Sequence, residues 1–176
     1  MNRDARESFT EFVASRSDGL MRLAYVLTGD QHSAEDLLQS ALTKTAGRWR
    51  HVRENPEAYV RKAMYHEQVS RWRRRGRESA AAILPEPAVR DRSDEVELRL
   101  CLENALLALP PGKRAVLVLR YFEDLPELEV AAILGCSVGT VRSQTHRALA
   151  RLRRLAPELA SELASDLEHA GSRHDT

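Results

Sequence analysis

The sequence predicts an all-α protein of two small helical domains joined by a flexible acidic linker. Three observations predict it. Apolar residues recur at three- and four-residue steps through most of the 176 residues. Glycine is scarce, at 8, and β-branched residues never dominate a window, so extended sheet is not expected. Pro85 and Pro87, two apart, forbid a continuous helix in mid-chain, where the charge also reverses.

In chain order, Phe9, Phe12, Val13, Leu20, Leu23, Ala24 and Leu27 form the stripe of a first helix that Gly29-Asp30 ends. Ser33 with Asp36 reads as a capping box opening a second helix, striped by Ala34, Leu37, Leu38, Ala41, Leu42, Thr45 and Trp49. Asn55-Pro56 offers an N-cap and a first-turn proline to a third helix, which runs through Tyr59, Val60, Ala63, Met64 and Trp72 into an arginine block. This first domain spans 1–77 and the linker 78–93. A second domain over 94–156 opens with a helix from Val96 to Leu109, stopped by Pro110-Pro111. Helices from Lys113 to Phe122, Glu127 to Leu134 and Val138 to about Leu155 complete it. Residues 157–176 form a polar tail with a weak stripe.

Charge and composition narrow the function. The net charge of +1 hides segregation. Arg71 to Arg77 holds five arginines in seven residues, and Arg142 to Arg154 holds five more with no acid. Between them, Glu78 to Glu97 holds six acids against two arginines. Basic blocks separated by acid suggest a protein that meets nucleic acid at two places. No apolar run spans a bilayer, and the N-terminus lacks the stretch a signal peptide needs. Cys101 and Cys136 fit no metal spacing or disulfide framework, so a reducing cytoplasm is expected. The six histidines show no helical metal pattern, and no phosphate loop or nucleophile elbow appears. No metal, no cofactor and no enzymatic activity are therefore expected.

The most specific local pattern is ELEVAAILGCSVGTVRSQTHRALARLRR, Glu127 to Arg154, with a helix-turn-helix over about 127–146. Ala131 is small where two helices cross closely. Gly135 stands where a positive φ is needed, and Ser137 can cap the next helix through the N–H of Gly139 or Thr140. On that helix Val141, Thr145, Ala148, Leu149 and Leu152 share one side. Arg142, Ser143, His146 and Arg147 lie nearly opposite, as candidates for base edges and adjacent phosphates. Arg153 and Arg154 suit phosphate contact or simple solvation. A plain helical hairpin with a basic face is the alternative.

The surrounding text resembles a family. FVASRSDGLMRLAYVLTGDQHSAEDLLQSAL is similar to the N-terminal region of extracytoplasmic-function sigma factors of the sigma-70 family. ALPPGKRAVLVLRYFEDLPELEVAAILGCSVGTVRSQTHRALARLR is similar to their C-terminal region, and Trp72 to Arg75 resembles the actinobacterial sigma-E subgroup. The resemblance covers about residues 8–156. It implies a sigma-2 and a sigma-4 domain, which together bind core RNA polymerase and open promoter DNA. It further implies that Asp36, Gln39, Ser40 and Thr43 dock on the β′ coiled coil, that the β flap is a second polymerase contact, and that Arg142, Ser143, His146 and Arg147 read the minus-35 element.

The resemblance also implies that the minus-10 function falls on His66, Ser70, Arg71, Arg73, Arg74 and Arg75, where a basic flank would hold a melted strand. Trp72 is a core anchor or a stacking surface, the former favoured. By the same resemblance the acids Glu86 and Asp91 of the linker, with Asp94 and Glu95 just after it, would mimic a nucleic-acid strand in the RNA exit path. An anti-sigma factor is a further family expectation. Two departures stand out. His66 replaces a common asparagine and can titrate near neutrality. Pro126 replaces a common serine cap, so that cap is lost or shifts to Asp124. A stand-alone helix-turn-helix regulator is the alternative function, but it leaves the first domain and the arginine block unused.

Overall fold

The computed structural model describes residues 3–75 and 94–157, apart from the side chains of Arg73, Arg75 and residues 94–99. The expected linker, and the tail beyond Pro157, lie outside the described residues. The regular structure of the described residues is wholly helical. The chain divides into two units, Met1–Ala82 and Ile83–Thr176. No helix among the described residues is long and apolar enough to cross a membrane.

In the first unit α1 (Arg3–Thr28), α2 (Gln31–Gly47) and α4 (Pro56–Arg75) pack on one another, with the short α3 (Trp49–Val52) between α2 and α4. The core is the expected apolar stripe: Leu20, Ala24, Leu27, Leu37, Ala41, Val60 and Met64 are at most 1% exposed. Gly29, at φ 90°, lets the chain reverse between α1 and α2 where a side chain would strain the backbone. The cap of α2 differs from the expected capping box. Asp30, not Ser33, is the N-cap, and its carboxylate accepts the Ser33 N–H at 2.8 Å. An acid there meets the positive helix end, and the extended backbone of Asp30 aims it at the third N–H. Asn55 caps α4 as expected, accepting the Ala58 N–H at 3.3 Å.

Trp49 also departs from expectation. It does not continue α2, which ends at Gly47, but opens α3 after a break at Arg48. Glycine is a weak helix former, and the break lets the indole reach α1. There Trp49 meets Phe9 edge-on at 5.1 Å and Phe12 at 5.5 Å, and its Nε1–H donates to the Ser8 hydroxyl at 2.9 Å. Gln68, 3% exposed, donates to the Leu27 carbonyl at 3.2 Å and so ties α4 to the end of α1.

The second unit contains α5 (Asp94–Leu107), α6 (Pro111–Leu117), α7 (Glu127–Leu134) and α8 (Val138–Leu155). Its core joins Val116, Leu117, Val118 and Leu119 to Val130, Val141, Ala148 and Leu152. The helix expected from Lys113 to Phe122 is α-helical only to Leu117. Val118–Phe122 widens into a π turn, closed by Glu123 N–H to Val118 O at 3.1 Å. The next link, Leu125 N–H to Leu119 O at 3.0 Å, and the Arg120 guanidinium donating to the Leu125 carbonyl hold the exit toward α7. Arg114, 3% exposed, sends Nη1 toward the Leu107 carbonyl at 3.5 Å. Burial lowers its guanidinium to about 10, which leaves it cationic at neutral pH.

Candidate nucleic-acid interfaces

In the second unit the turn between α7 and α8 is built locally. Gly135 adopts the left-handed conformation at φ 59°, ψ 45°, and the backbone N–H of Gly135 bonds the Ala131 carbonyl. Ser137 then caps α8, its hydroxyl accepting the Thr140 N–H at 3.1 Å. Such a cap contributes about 1 kcal/mol. Of the two caps the sequence allows, Thr140 is the one made. Pro126 stands at the N-cap of α7 and supplies no side-chain cap, and Asp124 does not replace it: Asp124 sits in the preceding loop at φ 48°.

The faces of α8 separate as its spacing predicts. Val141, Ala148 and Leu152 are buried; Thr145 and Leu149 are half-buried. Arg142, Ser143, His146 and Arg147 are exposed on the other side, with Arg153 and Arg154 exposed two turns on. One partner was not legible. Arg142 donates its Nε–H to Glu127 Oε2, at the start of α7, at 2.7 Å. α8 itself carries no acid, but its neighbour brings one to the exposed face. The Ser143 hydroxyl donates to the Thr140 carbonyl at 3.0 Å.

In the first unit a groove of about 430 Å³ is lined by Lys44, Tyr59, Ala63, His66, Glu67, Ser70 and Arg74. It brings together His66, Ser70 and Arg74 of the six residues assigned to the minus-10 element. Arg71 stands beside it, pairing with Glu67 Oε1 at 2.9 Å, and Trp72 is half-buried. The side chains of Arg73 and Arg75 lie outside the described residues.

Sequence reasoning missed the groove's central group. Glu67, its side chain 13% exposed, also accepts from the Ser40 hydroxyl at 2.6 Å and from Lys44 Nζ at 2.6 Å. Burial alone would raise its carboxyl, but hydrogen bonds from Lys44, Ser40 and Arg71 outweigh that and hold it at about 2. Partial burial, and then the charge of Lys62, keep the His66 imidazole below its usual range.

On α2, Asp36, Gln39 and Thr43 are exposed opposite Leu37, Ala41 and Thr45. Ser40 is not equivalent to them: it is half-buried and turned to Glu67. Among the described residues no cluster of three or more His, Cys, Asp or Glu could hold a metal ion.

Comparisons with known proteins cover both units. Residues 12–78 match the family model for sigma-70 region 2, and residues 99–152 that for sigma-70 region 4. The RNA polymerase sigma-E factor of Streptomyces coelicolor is 42% identical over 148 residues, covering 82% of this chain and 84% of that protein. The ECF RNA polymerase sigma factor SigE of Mycolicibacterium smegmatis is 35% identical over 170 residues, covering 91% of this chain and 66% of that one. Among solved structures, the sigma factor RpoE of Bartonella quintana, crystallised with the anti-sigma factor NepR, aligns with a TM-score of 0.57. It is 26% identical and covers 85% of this chain and 97% of its own.

Proposed function

The chain belongs to the sigma-70 family as an alternative sigma factor of the extracytoplasmic-function type, and from that premise we propose how its residues divide the work of initiation. The exposed stripe of α8, Arg142, Ser143, His146 and Arg147, reads the minus-35 element in the major groove. The groove of His66, Ser70 and Arg74, with Arg71 beside it, takes the melted minus-10 strand, and Arg73 and Arg75 are assigned to the same strand from the sequence alone. Asp36, Gln39 and Thr43 dock on the β′ coiled coil, with Ser40 at the edge of that face, and the second unit meets the β flap. The protein contributes binding alone, in the cytoplasm, and polymerase performs the chemistry. A partner of the kind named with the Bartonella relative, an anti-sigma factor, would hold it inactive.

The observation that carries this reading is the presence of both sigma regions, in order, in one chain. A stand-alone regulator would have no use for the first. The test mixes the purified chain with core polymerase. A stable complex that makes promoter-dependent transcripts is expected. Tight sequence-specific DNA binding by the free chain, without a polymerase complex, would favour the regulator.

His66 gives a pH prediction. Its lowered pKa leaves the imidazole neutral at pH 7, with one donor and one acceptor for a base edge. Minus-10 discrimination should then hold steady through neutral pH and change only at more acid pH than an ordinary histidine would require, as His66 gains a proton. His66→Asn should remove this acid-side change. Identical pH profiles of open-complex formation for parent and variant would sink the assignment.

A further inference from the structure

The groove is not confined to α4. Lys44 comes from α2, the helix whose outer face is assigned to polymerase, yet it lines the same groove as His66, Ser70 and Arg74. Its side chain is 55% exposed and ends 2.6 Å from Glu67 Oε2. Glu67 in turn holds three donors drawn from two helices: Ser40 and Lys44 on α2, and Arg71 on α4. With all three engaged, the carboxylate has little left to offer a ligand. The cations around it outnumber it, since Lys44, Arg71 and Arg74 face one acid. Such a rim suits an anionic strand.

We infer that Lys44 is a further contact to the melted strand and that Glu67 is the positioning residue that fixes Lys44 and Arg71 around the groove. The inference rests on the minus-10 reading proposed for this groove. A lysine ammonium on a flexible stem loses most when ordered, and Glu67 orders it before the strand arrives. Ser40 on the same carboxylate ties that geometry to the docking helix.

The experiment measures binding of a pre-melted promoter bubble to holoenzyme across a salt series, for the parent, Lys44→Gln, Glu67→Gln and Arg74→Gln. Each phosphate contact to a single strand contributes about 0.7 to the slope of log K against log salt. Lys44→Gln should lower the slope by about that amount, as should Arg74→Gln. A lowered slope for Arg74→Gln beside an unchanged one for Lys44→Gln overturns the Lys44 assignment and leaves the groove standing. Unchanged slopes for both overturn the minus-10 reading itself.

For Glu67→Gln the readout is discrimination between cognate and substituted minus-10 bubbles. A positioning role moves that ratio toward 1 while the helical circular dichroism and core-polymerase binding stay those of the parent. A variant that binds more tightly with equal discrimination would make Glu67 a mere screen of Lys44 and Arg71, and would overturn its positioning role.

Discussion

Arg142→Ala is expected to weaken minus-35 recognition by roughly 1–3 kcal/mol, about 5- to 150-fold, and to relax base preference at the position it reads. The size follows from what is lost. An exposed guanidinium at the start of a recognition helix can meet a guanine edge with two donors, and alanine offers none. The contact with Glu127 affects the second half of the result. That pair is largely exposed, with the arginine side chain at 70% and the glutamate at 31%, so its own contribution to stability is about 0–1 kcal/mol. The variant should therefore melt near the parent temperature while losing transcription.

Glu127→Gln separates orientation from charge. If Glu127 orients Arg142, the variant should keep non-specific affinity and lose preference for the cognate minus-35. Run-off transcription from cognate and minus-35-substituted templates, set beside thermal melts, measures both variants. Undiminished transcription from the cognate promoter by Arg142→Ala would sink the assignment.

What could be read in the sequence, and what could not, divides by range. The turn at Gly135, the Ser137 cap and the bounds of α7 and α8 depend on neighbours within four residues, so spacing alone carries them. The buried side of α8 follows from helical period in the same way. Ser33 is not the cap because α2 begins about one turn earlier, with Asp30 as its N-cap, whose carboxylate takes the Ser33 N–H and leaves Ser33 inside the first turn. The spacing puts Trp49 in the right core but on the wrong helix. Its hydrophobic spacing continues α2, but its partners Phe9 and Phe12 lie about forty residues back, and no window contains both.

The π turn at Val118–Phe122 leaves the apolar pattern intact and shifts only the hydrogen bonds, so periodicity does not report it. Distance along the chain likewise hides the two acids that organise the sites. Glu67 meets Ser40 and Lys44 across 27 and 23 residues, and Glu127 meets Arg142 across 15. In the sequence each is one acid among 26.

Leu119→Ala is expected to cost the second unit about 2–5 kcal/mol, a large share of the roughly 5–15 kcal/mol that holds a domain together. Leu119 is fully buried, and its carbonyl also receives the Leu125 N–H that leads the chain toward α7. Removing its side chain leaves a cavity in a small core, where little surrounding mass can collapse to fill it.

The tryptophans make the outcome specific. Trp49 and Trp72 both belong to the first unit, so tryptophan fluorescence follows that unit alone, while circular dichroism at helical wavelengths follows both. Each unit has its own buried set, so the variant should melt in two steps by circular dichroism, the earlier one silent in fluorescence. Transcription should then fall on promoters that depend on the minus-35 element, because α8 is held by the core that Leu119 completes. Fluorescence and dichroism transitions that moved down together would show that the two cores unfold as one, and would refute the division on which the two-site reading depends.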